Sequence, residues 1–214
     1  MKKATKIILG VVAALVVIIA AFIAFGVYYM TQGPDLTKYE HLKEPAISSM
    51  PNQKMLVVEA KGDPNVVGGK AFSTLFQLYF KMKETPKGPG QPAPRARWPM
   101  PFDTPKTEWI GLYAMPVPEA VSEFPQYEAT PELNVSLTTW EYGEVAEILH
   151  YGPYDQEQPT VARLMEFIKA QGYEVAGEHE EEYLKGATMF SKGDPEKYVT
   201  IIRYRVKKSE QAPM

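Results

Sequence analysis

The segment from Gly143 to Leu184 constrains the fold more than any other part of the chain, because its apolar spacing changes period twice. Glu144 to Tyr151 reads as a strand, and Gly152-Pro153-Tyr154-Asp155 as a turn with Asp155 as a helix cap. Val161, Leu164, Met165 and Ile168 then recur at helical spacing up to a stop at Gly172. A second strand follows over Glu174 to Leu184. In it His179, Glu181 and Tyr183 alternate onto one face, and Glu180, Glu182 and Leu184 onto the other. Alternation does not say which face is inward. If the Tyr183 face is inward, a carboxylate stands among aromatics, where an ionised group is costly unless a cation pairs with it. If the strand lies at an edge, the glutamates are simply solvated.

The first half follows the same plan. Met55 to Lys61 is strand-like, and Gly62-Asp63-Pro64-Asn65 is a turn in which Asp63 caps a helix and Pro64 occupies its first turn. Phe72, Leu75, Phe76 and Tyr79 mark an amphipathic helix over Val66 to Met82. Seven prolines between Glu84 and Lys106 predict a long loop unable to join a sheet. Trp109 to Met115 is a strand ended by Pro116 and Pro118, Val135 to Trp140 a short one, and Tyr198 to Val206 the last. Strand, helix and hairpin thus occur twice, which predicts a pseudo-symmetric α+β domain over 55–208 with a 209–214 tail. Two such units side by side leave a cleft between their helices, where ligands usually bind.

Residues 7–30 contain no charged side chain. As a helix this run reaches roughly 36 Å, enough to cross a hydrocarbon core of about 30 Å. Lys2, Lys3 and Lys6 precede it, so the expected topology is a single-pass membrane protein. Residues 1–6 would be a cytoplasmic N-terminus, 31–54 a linker, and the domain extracytoplasmic. A cleaved signal peptide is the competing reading, though the run exceeds the usual signal core of about 7–15 residues.

The net charge is −3, and the three leading lysines leave −6 on the rest. An acidic body without a basic cluster argues against nucleic acid as a partner. The absence of cysteine excludes disulfides, thiolate metal sites and cysteine nucleophiles. His150 and His179 show no carboxylate–histidine cluster at ligand spacing, so neither metal nor haem is expected, nor any other cofactor. These histidines read instead as hydrogen-bonding groups within the sheet.

Several segments together resemble the GyrI-like small-molecule-binding domain, the effector-binding domain of AraC-type and MerR-type regulators. They are Gly62-Asp-Pro-Asn, Ala146-Glu-Ile-Leu-His-Tyr-Gly-Pro-Tyr, Pro159-Thr160, Leu164, Phe167-Ile168 and Gly172-Tyr173. His179-Glu-Glu-Glu-Tyr-Leu and Thr200-Ile-Ile-Arg-Tyr-Arg-Val complete the set. The resemblance implies a tandem strand-helix-strand-strand (SHS2-type) fold with a cleft for hydrophobic, often cationic molecules against a buried glutamate, a multidrug-binding site. It places that glutamate at Glu181 and its aromatic partner at Tyr183, with Trp109 nearby. Tyr151 and Tyr154, beside the turn, are further lining candidates, with plain packing as their alternative. A second activity implied by relatives is hydrolysis that opens strained cyclopropane rings, carried by Glu181, Tyr183 and Trp109. Regulators of this kind carry a DNA-binding helix-turn-helix that this sequence lacks. Glu180 and Glu182 depart from the family pattern, as does the proline-rich loop with Arg95, Arg97 and Trp98. By alternation Glu180 and Glu182 point away from the cleft, and Glu180→Gln or Glu182→Gln is expected to change cation affinity little.

Overall fold

The computed structural model describes residues 15–22, 24, 26, 34–101, 103–127, 130–187 and 193–210. The chain divides into two compact units, Met1–Asp35 and Leu36–Met214. In the first, residues 15–22, Ala24 and Gly26 are helical, and the rest of the expected 7–30 span lies outside the described residues. Among the described residues no helix is long and apolar enough to cross a membrane. The single-pass membrane localisation expected from the sequence, with the membrane as a partner, is withdrawn on that finding.

Among the described residues the second unit holds nine strands: β1 (Ala46–Met50), β2 (Gln53–Lys61), β3 (Arg95–Trp98), β4 (Ile110–Pro116), β5 (Leu133–Trp140), β6 (Gly143–Tyr151), β7 (Tyr173–Val175), β8 (His179–Lys185) and β9 (Val199–Lys208). Helix α1 (Pro64–Lys81) follows β2, and α2 (Gln158–Ala170) follows β6. The strands form one antiparallel sheet in the order β1-β6-β9-β8-β3-β4-β2-β5, with β7 extending β9. Within this order β8-β9-β6 repeats β3-β4-β2, and the two halves meet where β3 pairs with β8. The expected α+β architecture of antiparallel sheet and helices is what the chain forms.

The flanking strands are exchanged between the halves. Two residues join β1 to β2 and two join β5 to β6, yet β1 pairs with β6 and β5 with β2. Each edge strand is thereby tied to a strand near the opposite edge, so the sheet must curl on itself. Both helices lie on one face. Leu75, Leu78 and Tyr79 of α1 pack on Leu56, Val58, Tyr113 and Met115. Val161, Leu164 and Ile168 of α2 pack on Ala146, Ile148, Ile202 and Tyr204. The other face has its own smaller core of Met55, Val57, Ala114, Trp140, Tyr142 and Val145. Both helices follow from the apolar stripes read in the sequence.

Local differences have physical reasons. Asp63 caps α1 as expected, accepting from Asn65 N at 2.9 Å. Asp155 does not cap α2. Its N-cap is Glu157, whose backbone oxygen takes the Thr160 and Val161 amides, leaving the carboxylate for another use. The expected 31–54 linker contains a 3-10 turn, Thr37–Lys43, and all of β1; Leu42 is buried against β6 and β9 residues. The proline-rich segment supplies β3, a central strand, because its four residues contain no proline and the prolines flank them. The single strand expected over Glu174–Leu184 is two. Gly177 separates them where a Cβ would stand 2.9 Å from Arg205 Cβ.

Candidate ligand-binding site

The register of β3 on β8 builds both sides of the sheet's centre. Arg95 faces Glu182, Ala96 faces Glu181, Arg97 faces Glu180 and Trp98 faces His179. Alternation sends Ala96, Trp98, His179, Glu181 and Tyr183 toward the helices and Arg95, Arg97, Glu180 and Glu182 to the other face.

On the helix side, Trp98 Nε1 donates to Glu181 Oε1 at 2.5 Å. His179 Nε2 lies 3.6 Å from the same carboxylate oxygen and 3.4 Å from Glu157 Oε1, delivered by the first residue of α2's cap. Its Nδ1 is 2.7 Å from the Tyr204 hydroxyl. Glu157, His179 and Glu181 are all buried. Rings from both halves surround them. Tyr183 stands edge-on to Phe72 at 5.7 Å and to Tyr154 at 5.2 Å, and Trp98 meets Trp109 at 5.4 Å and Tyr113 at 5.7 Å.

The electrostatics follow from burial with too few cations. Burial alone would lower the pKa of His179, but the Glu157 and Glu181 carboxylates outweigh it and raise the imidazole to about 9. Glu157 is raised above the usual carboxylate range, by burial first and then by the charge of Glu181. Burial holds the Tyr113, Tyr154, Tyr183 and Tyr204 hydroxyls high, and Glu181 adds to each shift. Two carboxylates share one imidazole in an aromatic shell.

The other face is ion-paired throughout its buried acids. Arg203 reaches Glu147 at 2.7 Å, Glu182 at 2.9 Å and Glu180 at 2.5 Å. Arg97 Nε donates to Glu180 at 2.7 Å, Arg95 Nε pairs with Glu182 at 3.1 Å, and the Tyr142 hydroxyl donates to Glu180 at 3.0 Å. Burial would raise the Glu180 pKa, but Arg203, Arg97 and Arg95 together hold it below its ordinary value. Glu180 and Glu182 lie on the face opposite Glu181, as alternation predicts, but the alternative of an edge strand with solvated glutamates does not hold. They enter a second buried layer. A half-open cleft of about 270 Å³ lies over this layer, lined by Arg97, Tyr142, Glu180, Arg203 and Arg205 among others. Its walls are charged and mutually paired, so we take the aromatic helix side as the site.

Of the expected site residues, Glu181, Tyr183, Tyr154 and Trp109 come together on the helix side. Trp109 is half-buried there and its Nε1 donates to Thr104 O at 2.7 Å. Tyr151 does not join them. It is 53% exposed at the end of β6, on the face shared with Glu147 and Leu149. His150 bridges the turn after β6 to α2, its nitrogens 3.0 Å from Thr160 Oγ1 and 3.0 Å from Pro153 O. Sequence reasoning missed Glu157, and it placed Trp98 in a loop over the pocket mouth rather than in a central strand donating to Glu181. The Arg-Ala-Arg-Trp alternation offered a signal for Trp98, whereas nothing in spacing links Glu157 to a histidine 22 residues on.

Solved structures share this fold. A hydrolase from Listeria innocua is 23% identical with a TM-score of 0.61, over 81% of this chain and 100% of that one. The EcmrR C-terminal domain is 16% identical with a TM-score of 0.53, over 77% of this chain and 98% of that one. At these identities the likeness is one of fold. No curated protein matches the chain. The family model of the GyrI-like small molecule binding domain matches residues 43–207, which span nearly all of the sheet and both helices, and the chain belongs to that family.

Proposed function

We propose that this GyrI-like domain binds hydrophobic cations between its two helices, with Glu181 as the countercharge. The observation that supports this most is the setting of Glu181. Its carboxylate is buried, held by Trp98 and walled by Tyr183, Tyr113 and Tyr154; the nearby His179 is shared with Glu157, and among the described residues no arginine or lysine pairs with it. A ring-lined carboxylate lacking a full cationic partner favours a ligand that brings both an apolar body and a positive charge. Tyr183, Tyr154 and Trp109 act as walls through their faces and edges, and Tyr151 contributes nothing at this site.

The test is titration of the full chain with a lipophilic aryl phosphonium cation and with its uncharged counterpart. Glu181→Gln keeps the shape and removes the charge. Cation affinity should fall by about 1–3 kcal/mol, the scale of a charge-assisted contact, while the uncharged compound is unaffected. Equal loss for both compounds would make Glu181 a packing residue and end this reading. Turnover of a strained cyclopropane electrophile, abolished by the same substitution, would replace it with hydrolysis on Glu181, Tyr183 and Trp109.

A further inference from the structure

We propose that Glu157, His179 and Glu181 form a three-ligand site for a divalent first-row transition metal, with zinc the best-fitting ion. This goes beyond the small-molecule reading and does not rest on it; a metal at Glu181 takes up the charge that a hydrophobic cation would otherwise meet, so the two occupants compete. One donor atom from each residue lies within 4.8 Å of the other two, and all three residues are buried. The two measured edges from His179 Nε2 are 3.4 and 3.6 Å. Zinc bonds of about 2.0–2.1 Å at tetrahedral angles place neighbouring donors roughly 3.3–3.4 Å apart. A charge-assisted hydrogen bond between the same groups would close to about 2.7–2.9 Å. The spacing suits a shared central ion better than a direct contact.

Two groups outside the cluster aim these ligands. The Tyr204 hydroxyl sits 2.7 Å from His179 Nδ1, which turns Nε2 to the carboxylates, and Trp98 Nε1 holds Glu181. Metal-bound histidines and carboxylates are ordinarily oriented by such outer partners. Charge balance points the same way. Two carboxylates, a neutral imidazole and a dication sum to zero, whereas the metal-free cluster has two acids for one base in an apolar shell. A mixed nitrogen and oxygen set suits zinc over magnesium or calcium, which take oxygen donors. Three protein ligands leave a fourth position for water or a substrate atom.

The experiment titrates the chelator-treated full chain, without any organic ligand. Zinc chloride is added in competition with a chromophoric chelator, and cobalt(II) chloride while the visible spectrum is recorded. The expected result is one equivalent per chain, an intense tetrahedral-type cobalt band, and a higher unfolding temperature with zinc. Glu157→Gln, which is isosteric, and His179→Gln should each weaken binding at least tenfold. Tyr204→Phe keeps all three ligands and so reads orientation alone, with an expected loss of about tenfold at unchanged stoichiometry. Should His179→Gln fail to fold, Glu157→Gln and Tyr204→Phe decide. No uptake by the wild type, or undiminished uptake by Glu157→Gln, overturns the proposal and in the latter case moves the metal to another histidine such as the exposed His41.

Discussion

The two faces of β8 bury the same kind of side chain and treat it in opposite ways. On one face Glu180 and Glu182, joined by Glu147, meet Arg95, Arg97 and Arg203, three acids against three guanidiniums. On the other face Glu181 and Glu157 share His179 as the one cationic group paired with them among the described residues, and Trp98 adds a neutral donor to Glu181. The first layer is matched in charge, so its ion pairs hold the curled sheet together and leave little net charge for a ligand. The second is short of positive charge, and on that deficit rests the proposal that this side takes a ligand. Burial of a carboxylate does not separate structure from function here; the count of cations around it does.

The comparison breaks most visibly at Arg203. Arg203→Met leaves three buried carboxylates around an apolar side chain, and removing one partner of such a network costs about 3–5 kcal/mol. Urea unfolding should show that loss. A cost comparable to an exposed pair would mean that the face is hydrated and the contrast false.

Glu180→Gln sharpens it. Unfolding free energy should fall by about 1–3 kcal/mol at neutral pH, since the amide keeps its shape but loses its charge-assisted contacts. The folded pKa of Glu180 lies below the ordinary 4.5, so its contribution is present above that value and lost as pH falls below it toward the folded pKa. Wild type and variant should therefore differ at pH 7 and converge in acid. A gap that stays constant from pH 7 to pH 3 would remove the arginines as its cause.

The smallest effect is expected across the sheet. Trp98→Phe keeps a ring against Trp109 and Tyr113 but removes the donor to Glu181, and should cost about 0.5–1.5 kcal/mol of stability. A loss as large as that at Arg203 would show that the helix side is as structural as the other.

Much of the fold is legible in residue order. The stripes Phe72-Leu75-Phe76-Tyr79 and Val161-Leu164-Met165-Ile168 predict both helices, and Asp63 marks the start of one. The alternation of β8 is equally plain, and it correctly groups Glu181 with Tyr183 and His179. β3 was hidden because four residues are too short to outweigh seven surrounding prolines, and because its arginines look solvated until their acids are known. β1 was hidden because its partner, β6, lies about a hundred residues away.

Period and capping, then, are local properties, and the sequence by itself determined what depends on them: two repeated units, their helices, and the two faces of the strand His179–Lys185. Tertiary structure alone decided what each face meets. Pairing of β3 with β8 brings Arg95 and Arg97 to one side and Trp98 to the other, and the cap of α2 carries Glu157 to His179. The physical reason is that a buried charge is governed by neighbours within a few ångströms, and for Glu180, Glu181 and Glu182 nearly all of those neighbours come from other elements.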